Sequence, residues 1–209
     1  MMQIKGFIFD YGGTLDTRGN HWGKVLWLAT SPIVKPDFTF RDTLQAKIRL
    51  QLQWLEENRN LGDATGYRKR ILDDVYQQTK ETTKESALVL EELAKKYPLM
   101  LVSNFYGNIA TVLREFSLDH LFGDIIESAV VGIRKPDARI FALGVERLGM
   151  KAEEVAVVGD SYDKDILPSH SIGCHTIWFK GEGWTDEVVE NPVADKVIGS
   201  LKEILPLAE

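Results

Sequence analysis

An aspartate at the end of an apolar segment constrains this chain more than any other feature of its sequence. Residues 7–9 read Phe-Ile-Phe, and Asp10 follows them directly. A continuous run of β-prone apolar residues predicts a strand that is buried on both faces. Gly12 and Gly13 come next, and glycine permits a sharp turn and a close approach of the backbone to a ligand. A carboxylate here lies where open α/β sheets place their chemistry, and an aspartate can act there as a nucleophile.

The composition fits one domain with an insertion, or one large and one small domain. The chain has 209 residues, of which 44% are hydrophobic, enough for a packed core. Its formal net charge of −6 argues against nonspecific binding to nucleic acid or to acidic membranes. No stretch approaches the roughly 20 apolar residues of a membrane span, and the first residues lack a signal-peptide layout. The single cysteine, Cys174, excludes an internal disulfide. These features predict a cytoplasmic protein without a nucleic-acid or membrane partner.

Short apolar segments alternate with amphipathic ones in the second half of the chain. Their patterns predict strands at residues 99–102, 125–126, 155–158, 175–179 and 197–198, and helices at residues 108–116 and 136–148. Buried strands that alternate with helices indicate a parallel sheet with helices on both faces. The predicted fold class is therefore α/β, with a Rossmann-like core.

The segment between the first two strands has a different, more polar character. Apolar residues recur at helical spacing, with charged residues between them, in three stretches: residues 41–57, 66–80 and 84–96. We therefore predict a helical insert over residues 17–97. The Rossmann-like core would then comprise residues 1–16 and 98–209.

Residues suited to phosphoryl transfer lie at or near the ends of the predicted strands. They are Asp10, Ser103, Asn104, Lys135, Asp160 and Asp165. Ser103 offers a hydroxyl donor, and the region of Asn104 is predicted to open a helix whose free N–H groups favour an anion. Lys135 offers positive charge to phosphate oxygens, and the aspartates offer the hard oxygen ligands that Mg²⁺ prefers. Such an ion neutralises phosphate charge, so that one anion can attack another.

Four segments of the chain resemble, in order, the four motifs of the haloacid dehalogenase-like (HAD) hydrolases: Asp10 with Gly13, Thr14 and Leu15; Ser103 with Asn104; Lys135 with Pro136 and Asp137; and Gly159 and Asp160 with Asp165. Any one motif alone is a weak signal, but four in order at predicted strand ends are a strong one. The resemblance covers nearly the whole chain outside the insert. It implies subfamily I, whose insert is a helical C1 cap that closes over the site and sets substrate choice.

The resemblance also implies a role for each residue. Asp10 would form an aspartyl-phosphate, and Lys135 would serve both the catalysis and the binding of phosphate. Ser103, Asn104 and Gly13 would complete the phosphate site. Mg²⁺ would be held by Asp10, by the backbone carbonyl of Gly12 and by Asp160, and Asp165 would complete the metal site from behind these ligands or through water. The implied activity is that of a Mg²⁺-dependent phosphatase acting on a small phosphorylated metabolite, as a monomer or a homodimer.

Gly12 departs from the family pattern, in which most phosphatases carry a second aspartate. Gly12 keeps the carbonyl that binds metal but has no side chain to protonate the leaving group or to activate water. Loss of a general acid–base typically costs about 10²–10⁴-fold in rate. Two alternatives to the phosphatase therefore stay open: a metal-independent 2-haloacid dehalogenase, since halide departure needs no proton, and a non-catalytic ligand-binding protein on the same scaffold. The Asp160 and Asp165 pair, which is of the metal-binding type, argues against the dehalogenase.

Overall fold

A parallel β-sheet forms the centre of the computed structural model, which describes residues 3–16, 36–59, 65–180 and 189–208. Its strands are β1 (Gly6–Phe9), β2 (Leu99–Ser103), β3 (Asp124–Glu127), β4 (Val155–Gly159), β5 (His175–Phe179) and β6 (Lys196–Ile198). They lie in the order β3-β2-β1-β4-β5-β6, and each neighbouring pair is parallel. Each strand predicted from the sequence is present, and the predicted α/β fold class is confirmed.

Helices cover both faces of this sheet. Within the described residues the α-helices are α1 (Phe40–Arg59), α2 (Thr65–Ala94), α3 (Ile109–Glu115), α4 (Ser128–Val131), α5 (Arg139–Leu148) and α6 (Leu167–Ser171). A π-helix spans Tyr162–Ile166, and a 3₁₀-helix, Leu201–Ala208, ends the described chain. None of the described helices is long and apolar enough to span a membrane.

The core lies in two layers, because alternate residues of a strand face opposite sides of the sheet. Phe7 and Phe9 of β1 pack on one side with α2 and α3, whereas Ile8 packs on the other side with α5. All three side chains are fully buried. Burial of such a side chain stabilises the fold by about 1.5–3 kcal/mol relative to its exposure. The alternation therefore fixes the register of β1 and the position at which Asp10 leaves it.

Three helix predictions differ from the structure. The separate helices predicted at residues 66–80 and 84–96 are one continuous helix, α2. Its Thr83 hydroxyl donates to the carbonyl of Thr79 one turn earlier, which satisfies this polar side chain within the helix. The region of Asn104 does not open a helix, because α3 begins only at Ile109. The helix predicted from residue 136 begins at Arg139, after a turn in which Asp137 accepts the N–H of Arg139.

The N-terminal end of α1 is bound to the core near α3. Glu115 accepts hydrogen bonds from the Phe40 N–H and from the Tyr76 hydroxyl. Asn108 donates to the Phe38 carbonyl at 2.8 Å. The C-terminal end of α2 contributes apolar side chains to the core cluster that contains Phe7 and Phe9. Residues 17–35 and 60–64 of the predicted insert lie outside the described residues, so the division into core and cap stays a prediction.

A buried tyrosine provides a test of the packing between β1 and α3. Tyr11 is fully buried, and its hydroxyl has no hydrogen-bond partner in the described part of the chain. Burial, together with the nearby Asp16 and Glu115, raises the pKa of Tyr11 well above its usual range. An unpaired buried hydroxyl costs about 1–3 kcal/mol. Tyr11→Phe should therefore leave the free energy of unfolding unchanged or raise it.

Tyr76 is the matched control, because its hydroxyl donates to Glu115 at 2.9 Å. Tyr76→Phe should lower the free energy of unfolding by about 0.5–1.5 kcal/mol. Urea denaturation of both variants measures the difference. A greater loss for Tyr11→Phe than for Tyr76→Phe would contradict the buried, unpaired hydroxyl.

Candidate active site

The turn after β1 carries Asp10 to the point where the sheet reverses its strand order. Strands β2 and β3 lie on one side of β1, and β4 to β6 lie on the other. Open α/β sheets bind ligands at such a switch point, outside the carboxyl ends of the strands. Asp10 is largely buried, and its N–H extends the β1–β4 ladder with a 3.0 Å hydrogen bond to the Val158 carbonyl. The backbone of the sheet therefore fixes the position of this carboxylate.

Gly13 allows the end of β4 to approach this turn. It has a φ of +98°, a conformation that favours glycine, and its N–H donates to Asp16 Oδ1 at 2.7 Å. A Cβ atom at Gly13 would lie 2.3 Å from Asp160 Oδ2. Any side chain there would therefore displace the Asp160 carboxylate. Gly12 is not among the glycines with positive φ.

Lys135 lies between two carboxylates at the centre of the site. Its Nζ is 2.8 Å from Asp10 Oδ1 and 2.7 Å from Asp165 Oδ1, and 2% of its side chain is exposed. The Phe141 ring lies 5.4 Å from the ammonium. Burial alone would lower the pKa of Lys135, but Asp10 and Asp165 outweigh it, and the pKa is raised above its usual value. The ammonium is therefore charged at neutral pH.

Three aspartates converge beside this lysine. Asp10, Asp160 and Asp165 each bring a carboxylate oxygen within 4.8 Å of the others. Asp165 lies in the π-helix Tyr162–Ile166, a helix type that is frequent at functional sites, and its Oδ2 accepts the Ser161 N–H at 3.0 Å. Burial, and then the charge of Asp10, raises the pKa of Asp165, against the effect of Lys135. This oxygen-only donor set suits a hard divalent cation.

Ser103 is the last residue of β2 and Asn104 follows it, beside the turn that carries Asp10. Ser103 is buried. The Asn104 side chain contacts the backbone of Lys135 in two ways: Nδ2 donates to its carbonyl at 3.0 Å, and Oδ1 accepts its N–H at 2.9 Å. The structure thus brings Asn104 to the lysine segment. The phosphate contacts expected for Ser103, Asn104 and Gly13 stay predictions.

Glu127 is a buried acidic residue near the site that the sequence analysis missed. It ends β3 beside Ser103, and its carboxylate accepts N–H groups of Gly107 and Ile109. Burial raises the pKa of Glu127, and these backbone hydrogen bonds oppose the shift. Glu127 thereby holds the loop that links Ser103 to α3. Its place directly after the apolar pair Ile125-Ile126 is the signal that could have revealed it.

Two further residues lie away from this cluster. Asp163 is exposed, although it belongs to the same acidic segment as Asp160 and Asp165. Cys174 is buried, and burial raises the pKa of its thiol to about 12. A thiol with that pKa is protonated at neutral pH and is a poor nucleophile.

The fold and the site together define a class of protein. The family model of the haloacid dehalogenase-like hydrolases matches residues 4–173. The chain therefore belongs to the haloacid dehalogenase-like hydrolase family, and the resemblance read from the motifs is confirmed.

Individual relatives match shorter stretches of the chain. A glyceraldehyde 3-phosphate phosphatase from Methanocaldococcus jannaschii is 35% identical over 88 residues, which are 42% of this chain and 38% of that protein. A phosphoserine phosphatase from Thermus thermophilus is 34% identical over 92 residues, 44% of this chain and 36% of that protein. The matches therefore span less than half the length of these relatives. The crystal structure of a dehalogenase has a TM-score of 0.68 at 21% identity and covers 99% of this chain and 98% of its own, which shows the shared fold.

Proposed function

We propose that this protein is a Mg²⁺-dependent phosphatase that hydrolyses a small phosphorylated metabolite through an aspartyl-phosphate on Asp10. The observation that carries the proposal is the Lys135 ammonium, which bridges the Asp10 and Asp165 carboxylates. Asp160 belongs to the same cluster. The names of the two phosphatase relatives support this reaction class.

The residues present fit a magnesium ion. The carboxylates of Asp10 and Asp160 and the carbonyl of Gly12 would hold it, with Asp165 close by. The cluster of three carboxylates, which offers oxygen ligands only, supports this assignment. When bound, the ion would neutralise charge on the phosphoryl group and on the carboxylates that face it.

In the proposed reaction the chain's own groups act in two steps. An Asp10 oxygen attacks phosphorus, the bond between phosphorus and the leaving oxygen breaks, and a mixed anhydride forms on Asp10. Lys135 and the Ser103 hydroxyl stabilise the charge on the phosphoryl oxygens. Water then attacks the phosphorus, which releases inorganic phosphate and restores the carboxylate. We assign substrate selection to the helical insert, residues 17–97, because all four motifs lie outside it.

A substrate and metal screen tests the proposal. Phosphorylated metabolites and 2-haloacids would be incubated with the protein in Mg²⁺ and, separately, in excess chelator. We expect phosphate release in Mg²⁺ only. Halide release without metal would support the dehalogenase instead, and ligand binding without turnover would support the non-catalytic protein.

The metal requirement gives a quantitative prediction. Asp160→Asn should weaken the apparent Mg²⁺ affinity by about 10-fold or more, because it removes a charged oxygen ligand. Asp163→Asn is the matched control, since it makes the same change at an exposed residue of the same segment. Titration of activity against Mg²⁺ measures both variants. Equal affinities in the two variants, or full activity in chelator, would contradict the assigned metal site.

The glycine at position 12 predicts that the hydrolysis rate depends strongly on the leaving group of the phosphate ester. Without a carboxylate at this position, acyl, aryl or anomeric sugar phosphates should react much faster than simple alkyl phosphates. Gly12→Asp should raise the rates of alkyl phosphates by about 10²-fold, because it keeps the carbonyl and adds a proton donor. The backbone at Gly12 does not have the positive φ that would strain an aspartate. Rates would be compared where the first chemical step limits turnover.

A wild-type rate that is the same for all leaving groups would show that another residue supplies the proton. His21, which lies outside the described residues, would then be the first residue to substitute.

A further inference from the structure

We propose that Asn104 is a positioning residue for Lys135: its side chain holds the lysine backbone and so sets where the ammonium lies, instead of binding phosphate itself. The inference deepens the proposed phosphatase and rests on it for the reaction that Lys135 serves. It assigns to Asn104 a different role from the phosphate contact that the motif pattern implies.

The contact between the two residues is reciprocal. Asn104 Oδ1 accepts the Lys135 N–H at 2.9 Å, and Asn104 Nδ2 donates to the Lys135 carbonyl at 3.0 Å. The planar amide of Asn104 thus forms hydrogen bonds with both polar backbone groups of Lys135. This contact uses one of the two side-chain N–H donors that Asn104 could otherwise offer to a phosphate. The pair joins the loop after β2 to the turn before α5, two segments that lie 31 residues apart.

Lys135 is therefore held at both ends. Its backbone is fixed by Asn104, and its ammonium is fixed by Asp10 and Asp165 at 2.8 and 2.7 Å. Only 2% of the side chain is exposed. Because the side chain is enclosed in this way, a shift of the Lys135 backbone would also displace the ammonium. A displacement of a reacting group by about 1 Å can reduce the rate by about 10²-fold. Asn104 thus acts on the reaction through Lys135.

Asn108 offers a matched control on the same loop. Asn108 is an asparagine too, but its Nδ2 donates to the Phe38 carbonyl at 2.8 Å and to the Thr43 hydroxyl at 2.9 Å. Asn104→Ala and Asn108→Ala each remove a side-chain amide from this loop. Only Asn104→Ala releases the backbone of Lys135.

Turnover kinetics and phosphate binding separate positioning from direct binding. For Asn104→Ala we expect kcat to fall by about 10²-fold, and the affinity for inorganic phosphate to fall no further than in Lys135→Met, which removes the ammonium itself. Asn104→Asp keeps the acceptor for the Lys135 N–H, so its kcat should lie between those of the wild type and Asn104→Ala. A direct phosphate ligand predicts the opposite order, because the added carboxylate repels phosphate. A phosphate affinity that falls further in Asn104→Ala than in Lys135→Met, or a kcat of Asn104→Asp below that of Asn104→Ala, would overturn the proposal.

A third measurement does not depend on turnover. The ¹⁵N resonance of the Lys135 ammonium, assigned by its loss in Lys135→Met, should shift or broaden in Asn104→Ala and stay unchanged in Asn108→Ala. An unchanged resonance in Asn104→Ala would overturn the proposal. If Asn104→Ala does not fold, Asn104→Asp decides by the same resonance and by its phosphate affinity. If the wild type hydrolyses no phosphate ester, the phosphatase proposal fails, whereas the resonance still tests the role of Asn104.

Discussion

Replacement of Asp10 by asparagine should lower the turnover of phosphate esters by about 10⁴-fold or more, because an amide oxygen cannot act as the nucleophile that forms the acyl-phosphate. Asp10 follows β1 directly, and the β1–β4 ladder holds its backbone. Lys135 lies 2.8 Å from its Oδ1. Asparagine has nearly the same shape and keeps an oxygen that can accept from Lys135. The loss of rate should therefore reflect the lost nucleophile and not a collapsed site.

Two measurements check this expectation. Initial rates of Asp10→Asn would be compared with those of Asp163→Asn, which changes an exposed aspartate and should retain wild-type activity. Beryllofluoride, which mimics an acyl-phosphate, should inhibit the wild type and should bind Asp10→Asn poorly. Turnover of Asp10→Asn at the wild-type rate would mean that the nucleophile is another residue.

Lys135→Met should abolish activity and should lower the free energy of unfolding by about 3–5 kcal/mol, because it leaves buried carboxylates without their partner. Methionine fills a volume similar to that of the lysine stem and can still contact the Phe141 ring, which lies 5.4 Å from the ammonium in the wild type. The loss of stability should therefore come from the charge. Asp10 and Asp165 would face each other and Asp160 without the Lys135 ammonium.

Magnesium provides the decisive comparison for this variant. A divalent cation partly replaces the missing positive charge, so Mg²⁺ should raise the thermal stability of Lys135→Met more than that of the wild type. Lys96→Met, which changes an exposed lysine, should leave the free energy of unfolding within about 0.5 kcal/mol of the wild type. Denaturation of each protein with and without Mg²⁺ measures both effects. Equal stability of Lys135→Met and Lys96→Met would contradict a buried ion cluster.

Much of the fold could be predicted because its signals are local. The four inner strands, β2, β1, β4 and β5, are short apolar runs, and burial on both faces requires such a run where helices cover the strand. Helix boundaries were less predictable, because they depend on packing and on side-chain hydrogen bonds. The Thr83 hydroxyl bonds back into α2, and this helix continues through a stretch that the sequence pattern divided in two. Likewise, Glu127 holds the loop after Asn104 in a non-helical form as far as α3.

The sequence by itself predicted that Asp10, Ser103 and Asp160 come together, because each ends or follows a parallel strand, and the carboxyl ends of parallel strands meet at one edge of the sheet. Lys135 lies beyond β3 and α4, so only the motif resemblance indicated its place. Only the tertiary structure decided how these groups touch. Two contacts join segments that are distant in the chain: Asp160 lies against Gly13, and the Asn104 side chain forms hydrogen bonds with the Lys135 backbone. Such contacts depend on strand register and loop path to within about an ångström, and a linear pattern of residue types carries no information at that scale.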